Sequence, residues 1–145
     1  KARSVSMKVF IDTNVLIDVL ASREPFYVDS AAIWTLAEHR TITGLISVFS
    51  FTNTFYIVRR LTDLKTARRT IVLLRDAFTP VACDGSIIQQ AIDARFRDFE
   101  DAVQYMSAVQ AGADCLVTRN ADRFPDLEDC PILSPAEFLA MHSFE

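Results

Sequence analysis

Short, wholly apolar runs alternate along the chain with longer stretches whose apolar residues recur every three or four positions. Val9-Phe10-Ile11 is the first such run, compact and β-favouring, and reads as a buried strand of a parallel sheet. The period then changes: Val15, Leu16, Val19 and Leu20 share one face of a helix expected over residues 14–21. A second helix is expected over 26–39, with Pro25 in its first turn and Val28, Ala31, Ala32, Trp34 and Leu36 on a broad buried face. Thr43 to Phe49, rich in β-branched and aromatic residues, reads as the second strand. Ser50 or Thr52 is expected to cap a helix running to Leu61, with Asn53 in its first turn; Asp63 caps another over 64–78. Further strands fall at Thr79–Ala82, Cys115–Thr118 and Pro131–Leu133. Between them lie a helix over 86–95, with Ile87, Ile88, Ala91 and Ile92 inward, and one from the acidic run at Asp98 to Ala111, stopped by Gly112. Ser134-Pro135-Ala136-Glu137 opens a terminal helix as a capping box. The alternation predicts an α/β fold: a mostly parallel central sheet with helices on both faces.

Composition narrows the setting. At 145 residues the chain is expected to form one domain over residues 7–145, burying about two-thirds of its unfolded surface. Lys1 to Ser6 is polar, lacks the apolar core of a signal peptide and precedes Met7, so residues 1–6 are expected to be an appended tail. Three widely spaced cysteines with no CxxC argue against a disulfide framework or a zinc site and for the reducing cytoplasm. No apolar run approaches the ~18 residues of a membrane span. The net charge of -4 supplies no global basic field for nucleic acid. The one concentrated positive segment (Arg59, Arg60, Lys65, Arg68, Arg69, Arg75) reads first as a solvated helix face and second as a phosphate-binding one.

The chemistry lies in polar residues just past strand ends, where open α/β sheets bind ligands. Asp12 and Asn14 follow the first strand; Thr118, Arg119, Asn120 and Asp122 follow the fourth; Asp98 and Asp101 open the helix leading into it. Asp12 alone would pass for a helix cap. Asp98 and Asp101, three apart, share a helix face, while Glu100 is expected to point elsewhere. Converging carboxylates repel unless neutralised, and a hard divalent cation with oxygen ligands, Mg²⁺ or Mn²⁺, does this economically. Such a site can activate water and stabilise the charge of phosphodiester hydrolysis. Histidine chemistry is not expected from His39 or His142, and neither GxxxxGK[ST] nor GxGxxG occurs.

Four stretches carry a family resemblance: VFIDTNVLIDVL at 9–20, ISVFSFTNTFYIVRR at 46–60, DFEDAVQYMSA at 98–108 and GADCLVTRN at 112–120. In this order they resemble a PIN-domain protein of the small bacterial kind that includes VapC-type toxins. The resemblance implies a three-layer α/β/α sandwich, a metal-dependent endoribonuclease and, in many such proteins, a protein antitoxin inserting into an acidic groove. Asp12 matches the first acidic position, Asp101 the third and Asn120 the fourth, which is Asp or Asn in the family. The second is usually Glu six residues after a strand Ser; here Ser47 leads to Asn53, and Asp98 supplies the missing charge. Where the family often has Asp just before a Phe, this chain has Arg123, with Asp122 one residue earlier. Asp12, Asp98, Asp101 and Asn120 are thus the expected catalytic set, the three Asp as metal ligands, with Asn14, Asn53, Thr118 and Asp122 in support.

Two function classes follow. One is an RNA-cleaving enzyme; the other is a catalytically weak PIN fold that binds RNA or a protein, an alternative kept open by Asn53. Proteins of this kind commonly pair, and 11 Phe suggest more apolar surface than one small core encloses, so a homodimer is expected.

Overall fold

A computed structural model describes residues 6–142; most of the expected tail, residues 1–5, lies outside the described residues. The elements are β1 (Lys8–Ile11), α1 (Thr13–Leu20), α2 (Tyr27–Glu38), β2 (Thr43–Ser47), α3 (Val48–Leu61), α4 (Leu64–Ala77), β3 (Thr79–Val81), α5 (Gly85–Ala94) and α6 (Phe99–Gln110). They continue with β4 (Cys115–Val117), a 3-10 turn (Ala121–Arg123), β5 (Ile132–Leu133) and α7 (Pro135–Met141). The five strands form one parallel sheet in the order β3-β2-β1-β4-β5. β1 is central, with Phe10 opposite Leu45 on one side and Leu116 on the other. The chain order reverses across β1, so the crevice past the carboxyl ends of β1 and β4 is the topological switch point, the expected place for a ligand.

Side-chain alternation along the strands divides the core into layers. Val9 and Ile11, with Ile46, Cys115 and Val117, pack toward Ile33, Leu74, Phe78 and Phe138 of α2, α4 and α7 and the residues beside them. Phe10, Leu45 and Leu116 face the other way, onto Tyr105 and Ala108 of α6 and onto Phe124. A satellite cluster of Ile87, Ala91, Ala102 and Val103 joins α5 to α6. The expected α/β/α sandwich follows, and the sheet is parallel throughout. Gly44 lets β2 approach its helices: a Cβ there would lie 2.6 Å from Phe78 Cδ1 and 2.9 Å from the Ala37 methyl. Gly112 ends α6 with φ +71°, as expected. Among the described residues no helix is long and apolar enough to cross a membrane.

Several boundaries differ from expectation. β2 stops at Ser47, which itself caps α3 by accepting from Phe49 N at 3.1 Å; Ser50 and Thr52 lie inside the helix. Val48 and Phe49 favour strand, but the sheet's carboxyl edge is reached at Ser47, and tertiary context overrides propensity. Asn53 consequently sits in the second turn of α3 and caps nothing. Pro25 precedes α2 rather than opening it, and the fully buried face of that helix is Ser30, Ile33 and Ala37, with Val28 exposed. Ile92 also points outward: α5 is packed from one side only, through Ile87 and Ala91.

Candidate active site

Asp12 ends the central strand and caps α1, so its carboxylate stands at the switch point, 5% exposed. Its Oδ1 accepts from Thr13 N at 2.8 Å and from Gln104 Nε2 at 3.0 Å. Its Oδ2 accepts from Thr118 Oγ1 at 2.8 Å and more distantly from Asn14 Nδ2 at 3.4 Å. Donors from α1, α6 and the end of β4 thus converge on one buried carboxylate, as burial of a charge requires. Asn14 extends the network: Nδ2 donates to Thr118 Oγ1 at 3.2 Å, and Oδ1 accepts from Arg119 N at 3.1 Å. Asn120 joins through its backbone N–H, which donates to Thr118 Oγ1 at 3.3 Å.

A second acidic centre lies at the start of α6. Asp98 is the helix cap, accepting from Asp101 N at 3.1 Å, so it does structural work whatever else it does. Asp101 is buried, and its carboxyl is pushed up to about 6, first by burial, then by Asp98, with Asp12 and Glu100 adding to it and Arg123 opposing. Glu100 is raised too, by loss of surrounding water and then by Asp12 and Asp98. Arg123 Nη2 bridges the pair, donating to Asp98 Oδ2 at 2.9 Å and to Asp101 Oδ2 at 3.1 Å. Asp122 lies at the rim, in an open cavity of about 480 Å³ shared with Arg97, Asp98, Asp101 and Arg123.

Glu100 lies off the helix face shared by Asp98 and Asp101, yet the Asp12 and Asp98 charges both act on it. It lines the adjoining groove of about 280 Å³ together with Thr13, Phe49, Asn53, Phe99 and Gln104. Asn53 therefore does line the groove, and its carboxamide makes no hydrogen bond among the described residues.

Two contributors were not anticipated from sequence. Gln104, three residues beyond Asp101 and hence on the same helix face, was discoverable by spacing but carries no charge to draw notice. The other is an ion pair behind the site. Asp18 of α1 is fully buried, with Arg119 Nε 3.1 Å and Arg23 Nη1 3.9 Å from its oxygens, while the Arg119 guanidinium lies 4.4 Å over the Phe26 ring. Burial raises the Asp18 carboxyl, and the two arginines oppose the rise. Since Arg119 N also holds Asn14, this pair pins the exit of β4.

A family model described as PIN domain matches residues 8–122. The chain belongs to the PIN-domain family. Ribonuclease VapC1 of Aquifex aeolicus is 25% identical over 139 residues, covering 92% of this chain and 94% of that protein. Among solved structures, VapBC2 of Rickettsia felis bound to a promoter DNA fragment matches with TM-score 0.65 at 15% identity, covering 88% of this chain and 98% of that one. A toxin-antitoxin complex from Klebsiella pneumoniae gives 0.66 at 18% identity, covering 88% and 97%. Mycobacterium tuberculosis VapC20, a sarcin-ricin loop cleaving toxin, gives 0.63 at 13% identity, covering 82% and 98%. At these identities the structures speak for the fold.

In this PIN domain the donor set suits a hard divalent cation in chemistry: crowded oxygen ligands, two carboxyls raised first by burial and then by neighbouring carboxylates. The arrangement is another matter. Among the described residues no three His, Cys, Asp or Glu side chains are grouped closely enough to hold an ion, and a guanidinium lies on Asp98 and Asp101.

Proposed function

We propose that this PIN domain is an endoribonuclease that hydrolyses RNA phosphodiester bonds with Mg²⁺ or Mn²⁺, acting as the toxin of a toxin–antitoxin pair. The carrying observation is the Asp12 carboxylate, buried at the switch point and held by donors from three elements beside the crowded acids of α6. Asp12, Asp101 and Asp98, which are not grouped closely enough to share an ion as they stand, would have to draw together to hold it, with the Asn120 side chain alongside. Bound there, a divalent ion supplies charge neutralisation and an activated water. The chain's own residues do the rest. Gln104, Thr118 and Asn14 fix the orientation of Asp12, and the Asp18–Arg119 pair fixes the loop that carries Thr118 and Asn120.

The groove supports RNA as substrate. Phe49, Phe99 and Tyr56 keep exposed rings beside the acids, and unpaired bases lie readily on such faces. Similarity to a ribonuclease and to a sarcin-ricin loop cleaving toxin supports the same substrate class. An apolar cleft of about 230 Å³ between α1 and α3, lined by Ile17, Leu20, Ile57 and Leu61, supports a protein antitoxin, as do the toxin-antitoxin complexes among the similar structures. Exposed Leu61, Val72 and Leu73 on α3 and α4 support a homodimer. Three free thiols fit a reducing compartment, the cytoplasm.

Cleavage of an unstructured RNA with Mg²⁺ or Mn²⁺ tests this reading. Activity is expected to vanish in EDTA and to fall at least about 100-fold in Asp12→Asn, roughly the weight of one essential charged group. Binding of the same RNA without cleavage in any metal would favour the second reading, a binding module. Asn53 in place of Glu and Arg123 across two of the acids are the features that favour it.

A further inference from the structure

The Asp98–Asp101 end of the groove already contains a cation, and the chain itself supplies it. One nitrogen of Arg123 contacts a carboxylate oxygen of each residue, at 2.9 and 3.1 Å, and so bridges the two acids. Yet Arg123 is not locked in place. Its side chain is 49% exposed, Asp98 is 44% exposed, and the residue stands in the short 3-10 turn that follows Asn120. Among the described residues these two carboxylates are its only side-chain partners. The contrast with Arg119, four residues earlier, is sharp: that side chain is held by a fully buried Asp and an aromatic ring.

We propose that Arg123 is a resident, displaceable cation of the acidic groove: its guanidinium neutralises Asp98 and Asp101 in the metal-free protein, and a divalent ion gains those oxygens only as the guanidinium leaves. This rests on the metal-dependent reading above and adds to it the competitor that sets metal affinity. The physics is competition for one set of lone pairs. An ion that must break an existing pair binds more weakly by the fraction of molecules in which that pair is already open. Because Arg123 and Asp98 are each nearly half exposed and solvent-screened, that contact is of the kind that gives way readily, which leaves the 12%-exposed Asp101 side chain as the oxygen most in need of a replacement cation. Once released, the guanidinium remains tethered in the cavity that it lines with Arg97 and Asp122, and a phosphate oxygen of RNA is the natural new partner there. Metal occupancy and substrate contact are then linked through a single side chain.

Isothermal titration of Mn²⁺ and Mg²⁺ into the wild type, Arg123→Gln and Arg123→Lys tests this, with Asp12→Asn as the control that the heat comes from this groove. Arg123→Gln, which has no charge to compete, is expected to bind about tenfold more tightly, the effect of removing one opposing charge near the site. Arg123→Lys keeps the charge and should stay near the wild type. Independently, the Arg123 guanidinium NMR signal of the wild type is expected to shift on saturation with Mg²⁺, and this decides alone if Arg123→Gln fails to fold. Equal affinity in wild type and Arg123→Gln, or an unmoved guanidinium signal at saturation, overturns the proposal and leaves metal binding intact. Absence of heat in both up to millimolar ion sinks the metal-dependent reading, and the competition with it.

Discussion

Two arginine–aspartate contacts flank the same loop, one at Arg119 and one at Arg123, and they show how burial sets the role of identical chemistry. Asp18 has no exposed surface, so its charge has no water to fall back on and depends on Arg119, with Arg23 a more distant second. Asp98 and Asp101 meet Arg123 at comparable distances, but the arginine and Asp98 are each nearly half exposed. The inner pair is a strut: losing one partner strands a charge in apolar surroundings. The outer contact is exchangeable at its Asp98 end, where water can replace either partner at small cost, and at the buried Asp101 end another cation can take the place of the guanidinium. Between these two anchors lies Asn120, fixed on one side and free to adjust on the other.

The largest expected effect comes from breaking the strut. Arg119→Ala should lower unfolding free energy in urea by about 3 kcal/mol at neutral pH, the usual cost of a stranded buried charge. A loss under about 1 kcal/mol would mean that Arg23 alone suffices, and the contrast between the two pairs would fail.

The same variant carries a pH signature. The folded Asp18 carboxyl is raised above its ordinary value of 3.8, so stability tied to it is fully present below that value and is lost as pH rises through the folded pKa. Without Arg119 the rise is steeper, because one of the two opposing charges is gone. The deficit of Arg119→Ala should therefore shrink toward pH 4 and grow toward neutrality. A deficit that is flat with pH would point to lost packing on Phe26 as the cause.

Next in size is the neutral network around Asp12. Gln104→Ala removes one of its donors and is expected to destabilise by about 1 kcal/mol, while cutting RNA cleavage through misorientation of Asp12. If cleavage falls with an unchanged melting temperature, orientation alone is at stake. If neither changes, the remaining donors hold Asp12 without it.

Arg123→Ala should be the smallest, within about 0.5 kcal/mol of the wild type in the same urea titration without metal. A loss comparable with that of Arg119→Ala would make Arg123 a second strut and erase the distinction.

Where the chain announced its fold, it did so through period and strand composition. Val9 to Ile11 followed by Asp12 was legible because a compact apolar run cannot end in a carboxylate without placing it at the sheet's edge. The start of α3 was not, since Val48 and Phe49 favour strand and only the reach of the sheet stops it at Ser47. At the site, Asp12, Asn14 and Thr118 were legible from their places just past strand ends, whereas Gln104, in mid-helix, was not: it touches Asp12 more closely than Asn14 does, at 3.0 against 3.4 Å. Glu100 was set aside because spacing defines a helix face but not which pocket adjoins it. The bridge from Arg123 to residues 22 and 25 positions away could not be read from any local pattern.

The position of β1 has a further consequence for how the protein is made. Asp12 leaves the ribosome about a hundred residues before the strand that completes its surroundings: Phe10 pairs with Leu116, and Asp12 N donates to Val117 O at 2.9 Å. Thr118 and Arg123 come later still. Contacts of such long sequence separation form last, after the loop-closure cost has been met. A chain interrupted anywhere before β4 therefore has its first acid but no centre around it. A PIN domain built this way spends its synthesis, in the midst of ribosomal and messenger RNA, without an assembled site.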